Sequence, residues 1–241
     1  MIDFNRFTLT IVPISFVENK KESLMKIIFL HGLGQDKHSW DKVRELLPQY
    51  DTEALDLFYT NNNIITVSQL EQHLCQELQV INEPFVLVGL SLGGTLALKV
   101  GQQFPQLQAL VLSGTQYKLS SNLLYRLQLL IFSCLPDSLF KKEGLHKKSF
   151  VGLLKDLKNL DLSSQLSAIQ LPSLIICGNK DWPNLPSSKK LAAALPQADF
   201  VTLSGGNHTL NTDHPQEMAA MIERFILQNC EIWGFLRFFK F

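Results

Sequence analysis

A chain of 241 residues, 46% of them hydrophobic, can bury the core of one large domain, or of one domain carrying an insertion. Lysine plus arginine and aspartate plus glutamate both count 22, so no net charge draws the chain to nucleic acid or to an anionic membrane. Cys75, Cys134, Cys177 and Cys230 form no C-x-x-C pair and read as reduced packing residues, which argues for a cytoplasmic protein. The opening MIDFNRFTLTIVPISF has neither the cationic start nor the small-residue cleavage site of a secretion signal. No window holds about 18 uninterrupted apolar residues, so no stable membrane insertion is expected.

In chain order, Thr8 to Val17 alternates loosely as one strand and Glu18 to Ser23 is a polar turn. Lys26 to Leu30 (KIIFL) is a stronger strand that runs into His31-Gly32-Leu33-Gly34. A helix is expected from Ser39 to Leu47, stopped by Pro48, then a strand from Glu53 to Leu57. Val67, Leu70, Leu74, Leu78 and Ile81 recur at helical spacing, with Ser68 and Glu71 as the expected capping box. Phe85 to Leu90 is a continuous apolar strand, and the stretch after Ser91 (LGGTLALKVGQQF) reads as a helix closed by Pro105.

Gln108 to Leu112 is the next strand, followed by a long segment without strand character. Leucines 123, 124, 127 and 130 with Ile131 recur at helical spacing, and so do Phe150, Leu153, Leu154 and Leu157, with Pro136 and Gly144 between them. This predicts an inserted helical cap over residues 115–165, the core being residues 1–114 and 166–241. The cap holds eight lysines and arginines against four acidic residues, which reads first as a solvated lysine face that keeps a leucine-rich insertion soluble and second as a lid that steers an anionic acyl substrate. A strand at Leu174 to Cys177, a helix near Ser188 to Leu195, a strand at Phe200 to Leu203 and a helix from Pro215 to Leu227 complete the pattern. Alternating strands and helices give an α/β fold, a mostly parallel central sheet with helices on both faces. The last residues, IWGFLRFFKF, form an apolar tail with Arg237 and Lys240.

Gly89-Leu90-Ser91-Leu92-Gly93 places Ser91 on a sharp strand-to-helix turn that leaves its hydroxyl exposed. A serine hydroxyl needs a base within hydrogen-bond reach, itself oriented by a third group. His208 follows the last expected strand in a loop and so lies at the same sheet edge as Ser91. Asp181, in the turn after LIICG, is the orienting acid. Asp213 is too close in sequence to His208 and reads as a helix cap. An acyl-transfer intermediate also needs converging N–H donors for its oxyanion, and the backbone of Leu33 and of Leu92 supplies them, with His31 as a structural residue. No H-x-x-x-H or Cys/His cluster points to a metal, and no organic cofactor is implied.

HGLGQDKHSW, GLSLGG, GNKD and GGNH together resemble the oxyanion loop, nucleophile elbow, acid turn and histidine loop of the α/β-hydrolase superfamily, in its small, cap-bearing branch. The resemblance spans Lys26 to Leu227 and, with Ser91 at the elbow, argues against the dehalogenase and epoxide-hydrolase branches, which use aspartate there. It implies a hydrolase of small-molecule carboxylic esters or thioesters acting through an acyl-serine, with Leu123, Leu127 and Trp182 as candidate substrate contacts. Two alternatives stay open: a C–C bond hydrolase or lyase using the same triad, and a non-catalytic ligand-binding member of the fold. The oligomeric state has no sequence signature.

Overall fold

The computed structural model describes residues 25–58, 66–120, 123–142 and 147–230. Its centre is a six-stranded, all-parallel sheet in the order β2-β1-β3-β4-β5-β6. The strands are β1 (Lys26–Leu30), β2 (Asp51–Leu55), β3 (Phe85–Leu90), β4 (Leu107–Ser113), β5 (Ser173–Gly178) and β6 (Ala198–Leu203). β3 and β5 are buried along their whole length. Burial on both faces is why these runs read as continuous hydrophobics rather than as an alternation.

Successive side chains nonetheless go to opposite layers. Ile28 and Leu30 of β1 and Phe85 and Leu87 of β3 join one core with α2 (Val67–Gln79), α3 (Leu92–Val100) and α7 (Leu185–Ala194). Ile27, Phe29, Val86 and Val88 join the other, with Trp40, α1 (Asp41–Glu45) and α9 (Pro215–Asn229). The short α8 (Leu210–Asp213) puts Leu210 into this second core.

Between β4 and β5 the chain inserts α4 (Leu123–Cys134), α5 (Asp137–Lys142) and α6 (Lys147–Leu157). The two ends of the insertion pair as a short antiparallel bridge, with Leu119 N donating to Leu160 O at 3.1 Å and Leu162 N to Tyr117 O at 2.9 Å. Lys118 and Asp161 add an ion pair at 2.9 Å. This neck lies inside the expected cap boundaries. The insertion also reaches the body: Leu153 and Leu157 enter the core shared with α2, and Asp156 Oδ2 accepts from Val67 N at 2.7 Å.

Several element boundaries differ from expectation. The capping box of α2 is Thr66 with Gln69, two residues before the Ser68–Glu71 pairing read from sequence, because Thr66 is the last extended residue (φ −109°, ψ 160°) and Gln69 stands three positions on. The expected Ser39–Leu47 helix is split into a 3₁₀ turn, Lys37–Trp40, and α1, since Asp36 caps the N–H of His38 and starts the turn early. The helix after Ser91 ends at Val100, ahead of Gly101, rather than running on to Pro105. The Thr8–Val17 strand and the IWGFLRFFKF tail lie outside the described residues.

Candidate active site

Strand order reverses between β1 and β3, so the carboxyl ends of these strands flank the crevice where open parallel sheets bind ligands. Ser91 stands at that end of β3. It is the only non-glycine residue with positive φ among those described, at φ 52° and ψ −109°. The strain is held by close packing, as a Cβ at Gly93 would lie 2.3 Å from Leu30 O and one at Gly89 2.4 Å from Gly94 N. Ser91 N donates to Ser113 O at 2.8 Å, which ties the turn to the end of β4.

Asp181 and His208 come together from the next two strands. Asp181 sits in the turn after β5, and His208 in the loop after β6, with His208 Nδ1 donating to Asp181 Oδ2 at 2.7 Å. Asp181 is buried, while the imidazole is 38% exposed. The two loops are joined by a backbone bond, Lys180 N donating to Gly206 O at 2.9 Å, and by the Asn179 side chain, whose Oδ1 accepts from Gly205 N at 2.8 Å. Among the described residues, Ser91 Oγ has no direct hydrogen bond to His208. Catalytic hydrogen bonds are often long before substrate arrives.

The Asp181 carboxylate has a further partner that sequence reading missed. Asn184 Nδ2 donates to Asp181 Oδ1 at 2.7 Å, and Gln116 Nε2 donates to Asn184 Oδ1 at 2.6 Å. Gln116 lies just beyond β4 at the start of the insertion, and its carbonyl is 2.7 Å from Thr95 Oγ1 on α3. Asn184 immediately precedes α7, which starts at Leu185, three residues before the helix expected from Ser188. Its side chain makes no cap hydrogen bond and serves the carboxylate instead.

On the other side of Ser91, the loop after β1 turns tightly. Gln35 N donates to Gly32 O at 3.2 Å, and Gly34 takes φ 81° in the third turn position. The N–H of Gly32 is engaged by Gln35 Oε1 at 3.1 Å. The N–H groups of Leu33 and Gly34, between them, have no hydrogen-bond acceptor among the described residues. Leu92 is the first residue of α3, so its N–H has no intrahelical partner. His31 is fully buried. Leu57 N donates to its Nε2 at 3.0 Å, so the proton is on Nδ1, which donates to Gly32 O at 2.9 Å. His31 thereby fastens the β1 loop to the segment after β2.

The remaining residues fall elsewhere. Asp213 accepts from Thr209 Oγ1 at 2.7 Å, as a helix-end residue rather than a partner of His208. Trp182 is 67% exposed beside Asp181. Leu123 and Leu127 belong to α4, and their side chains lie outside the described part. Burial pushes the Cys177 thiol up to about 11, the Ser188 hydroxyl pulling against the shift and Asp181 adding to it. Cys177 is therefore an inert packing group behind Asp181. Among the described residues no group of three or more His, Cys, Asp or Glu side chains could hold a metal ion, and no helix is long and apolar enough to cross a membrane.

Comparisons with known proteins match this architecture. A "Putative 2-succinyl-6-hydroxy-2,4-cyclohexadiene-1-carboxylate synthase" of Haemophilus influenzae is 38% identical over 109 residues, 41% of this chain and 44% of that protein. A "Pimeloyl-[acyl-carrier protein] methyl ester esterase" of Stenotrophomonas maltophilia is 35% identical over 74 residues, 30% of this chain and 29% of that one. Both matches span less than half of the relative's length. Among solved structures, MenH from S. aureus superposes with a TM-score of 0.72 at 18% identity, covering 86% of this chain and 95% of that chain, a likeness of fold. The model of the Alpha/beta hydrolase family matches residues 27–221, from the first residues of β1 into α9. With that match over most of its length, the chain belongs to the alpha/beta hydrolase family.

Proposed function

We propose that the protein hydrolyses small-molecule carboxylic esters or thioesters through an acyl-serine intermediate. The observation that carries this reading is the strained Ser91 at the end of β3, with the Asp181–His208 pair at the ends of β5 and β6. Ser91 Oγ attacks the acyl carbon while His208 Nε2 takes its proton. The carbonyl oxygen becomes an anion that accepts from the backbone N–H groups of Leu33 and Leu92. Collapse expels the alcohol or thiol, which takes the proton from His208. A water then attacks the acyl-serine with His208 again as base, releasing the acid and restoring Ser91. Asp181 holds the imidazole with its hydrogen on Nδ1 and stabilises the imidazolium formed in each half-reaction.

Labelling by a fluorophosphonate probe tests the reading. The wild type is expected to be labelled at Ser91, and Ser91→Ala to lose p-nitrophenyl butyrate turnover by at least about 10⁴-fold with folding unchanged. Wild-type turnover by Ser91→Ala would remove Ser91 as nucleophile.

A lyase reading is favoured by one specific finding, the name of the Haemophilus influenzae relative, which is a synthase rather than an esterase. The same base and amide donors would then serve proton abstraction and stabilise an enolate oxygen. Formation of the carboxylate in that name, with no ester turnover, would decide for the lyase.

A further inference from the structure

We infer that Gln35 and Asn211 are positioning residues that fix the Leu33 amide against the histidine loop; this rests on the serine-hydrolase reading above. The two carboxamides pair head to tail, with Gln35 Nε2 donating to Asn211 Oδ1 at 3.2 Å and Asn211 Nδ2 donating to Gln35 Oε1 at 3.3 Å. The second hydrogen of Asn211 Nδ2 goes to Ser39 O at 3.2 Å. Gln35 Oε1 also accepts from Gly32 N at 3.1 Å. One fully buried side chain, three residues beyond His208, therefore holds both Gln35 in the loop that follows β1 and Ser39 in the 3₁₀ turn after it.

The chemistry explains why amides stand here. A buried carboxamide costs free energy unless its donors and acceptor are all engaged, and Asn211 meets that condition. An apolar pair could fill the same space without that cost, but it would not fix direction. The amide pair does so twice. It draws the Gly32 N–H inward to Gln35 and so fixes the peptide that precedes Leu33, the residue proposed to donate to the oxyanion. It also ties that turn to α8, so the amide and the His208 loop move as one body. An amide displaced by about 1 Å from a developing oxyanion can lose on the order of 10²-fold in rate.

The test compares kcat, KM and affinity for a trifluoromethyl ketone, whose serine adduct carries the oxyanion, between wild type, Gln35→Met, Gln35→Glu and Asn211→Ala. Gln35→Met is expected to lower kcat about tenfold or more, with KM within about twofold, and to weaken the ketone by the same factor as kcat. Gln35→Glu keeps an acceptor for Gly32 N–H and should recover part of the loss. Asn211→Ala should resemble Gln35→Met, and the double variant should be no worse than about twofold below the weaker single, since both break one link. If Asn211→Ala does not fold, the two Gln35 variants at their half-buried position decide alone. Wild-type kcat and ketone affinity in Gln35→Met overturn the inference, as does a rise in KM with kcat untouched. Ser91→Ala separates the two failures: if it is inactive, only the positioning role is lost, and if it is active, the serine reading itself falls.

Discussion

Asp181 is a buried carboxylate with both oxygens occupied, one by His208 and the other by Asn184. The Asn184 bond keeps the carboxylate plane from rotating away from the imidazole, and Gln116 in turn keeps the Asn184 amide from flipping. Asn184→Leu removes the donor at similar volume and leaves Asp181 Oδ1 buried without that partner. A loss of about 1–3 kcal/mol in urea unfolding is expected. Ester kcat should fall with it, while Gln116→Ala, one bond further out, should give a smaller effect of the same kind. An Asn184→Leu variant with wild-type stability and kcat would show that His208 alone holds the carboxylate.

At the scale of elements, two junctions frame the proposed site. The tight turn at Ser91 is possible because β3, buried on both faces, stops abruptly where Gly89 and Gly93 allow α3 to cross against β1. The insertion's neck is the second junction, and charge marks it. The Lys118 ammonium and the hydroxyl and backbone N–H of Ser163 hold the Asp161 carboxyl down to about 2, below its ordinary 3.8. A depressed carboxyl contributes stability that is present above about 3.8 and is lost as pH falls through about 2. An NMR pH titration of Asp161 should therefore show a midpoint near 2, and Lys118→Ala should return it toward 3.8. An unmoved midpoint would mean that the Ser163 contacts, not the neck ion pair, set it.

For the molecule as a whole, the question is what the insertion adds. Its neck brings Leu119 and Leu160 into backbone contact, so residues 120–159 can be replaced by a two-residue turn without stretching the chain. The body should still fold cooperatively, at lower stability, because Leu153, Leu157 and the Asp156 cap on α2 are lost. Activity on short p-nitrophenyl esters should persist with a broadened preference for acyl length. An acyl-length profile identical to that of the full chain would remove the insertion from substrate selection. Its positive balance is already partly spent, since Lys118 pairs with Asp161 and Lys147 with Asp137 at 3.7 Å. Lys148 and Lys155 line a cavity of about 550 Å³ with Ser133 and Val151.

The sequence by itself determined the strands of the described core, their parallel arrangement and the strand ends on which Ser91, Asp181 and His208 stand. Those features are local: a doubly buried strand must be a run of apolar residues, and a strained turn must have small neighbours. The tertiary structure decided what the polar side chains do. Asn184 has no role legible in the sequence, because nothing local says that a carboxylate three residues back will be buried beside it. Gln35 and Asn211 stand 176 positions apart, so neither carries a sign of the other until the sheet brings the ends of β1 and β6 to one edge. Hydrophobic patterning repeats along the chain and can be read there, whereas a buried hydrogen bond is a single pairing that exists only once the fold has chosen both partners.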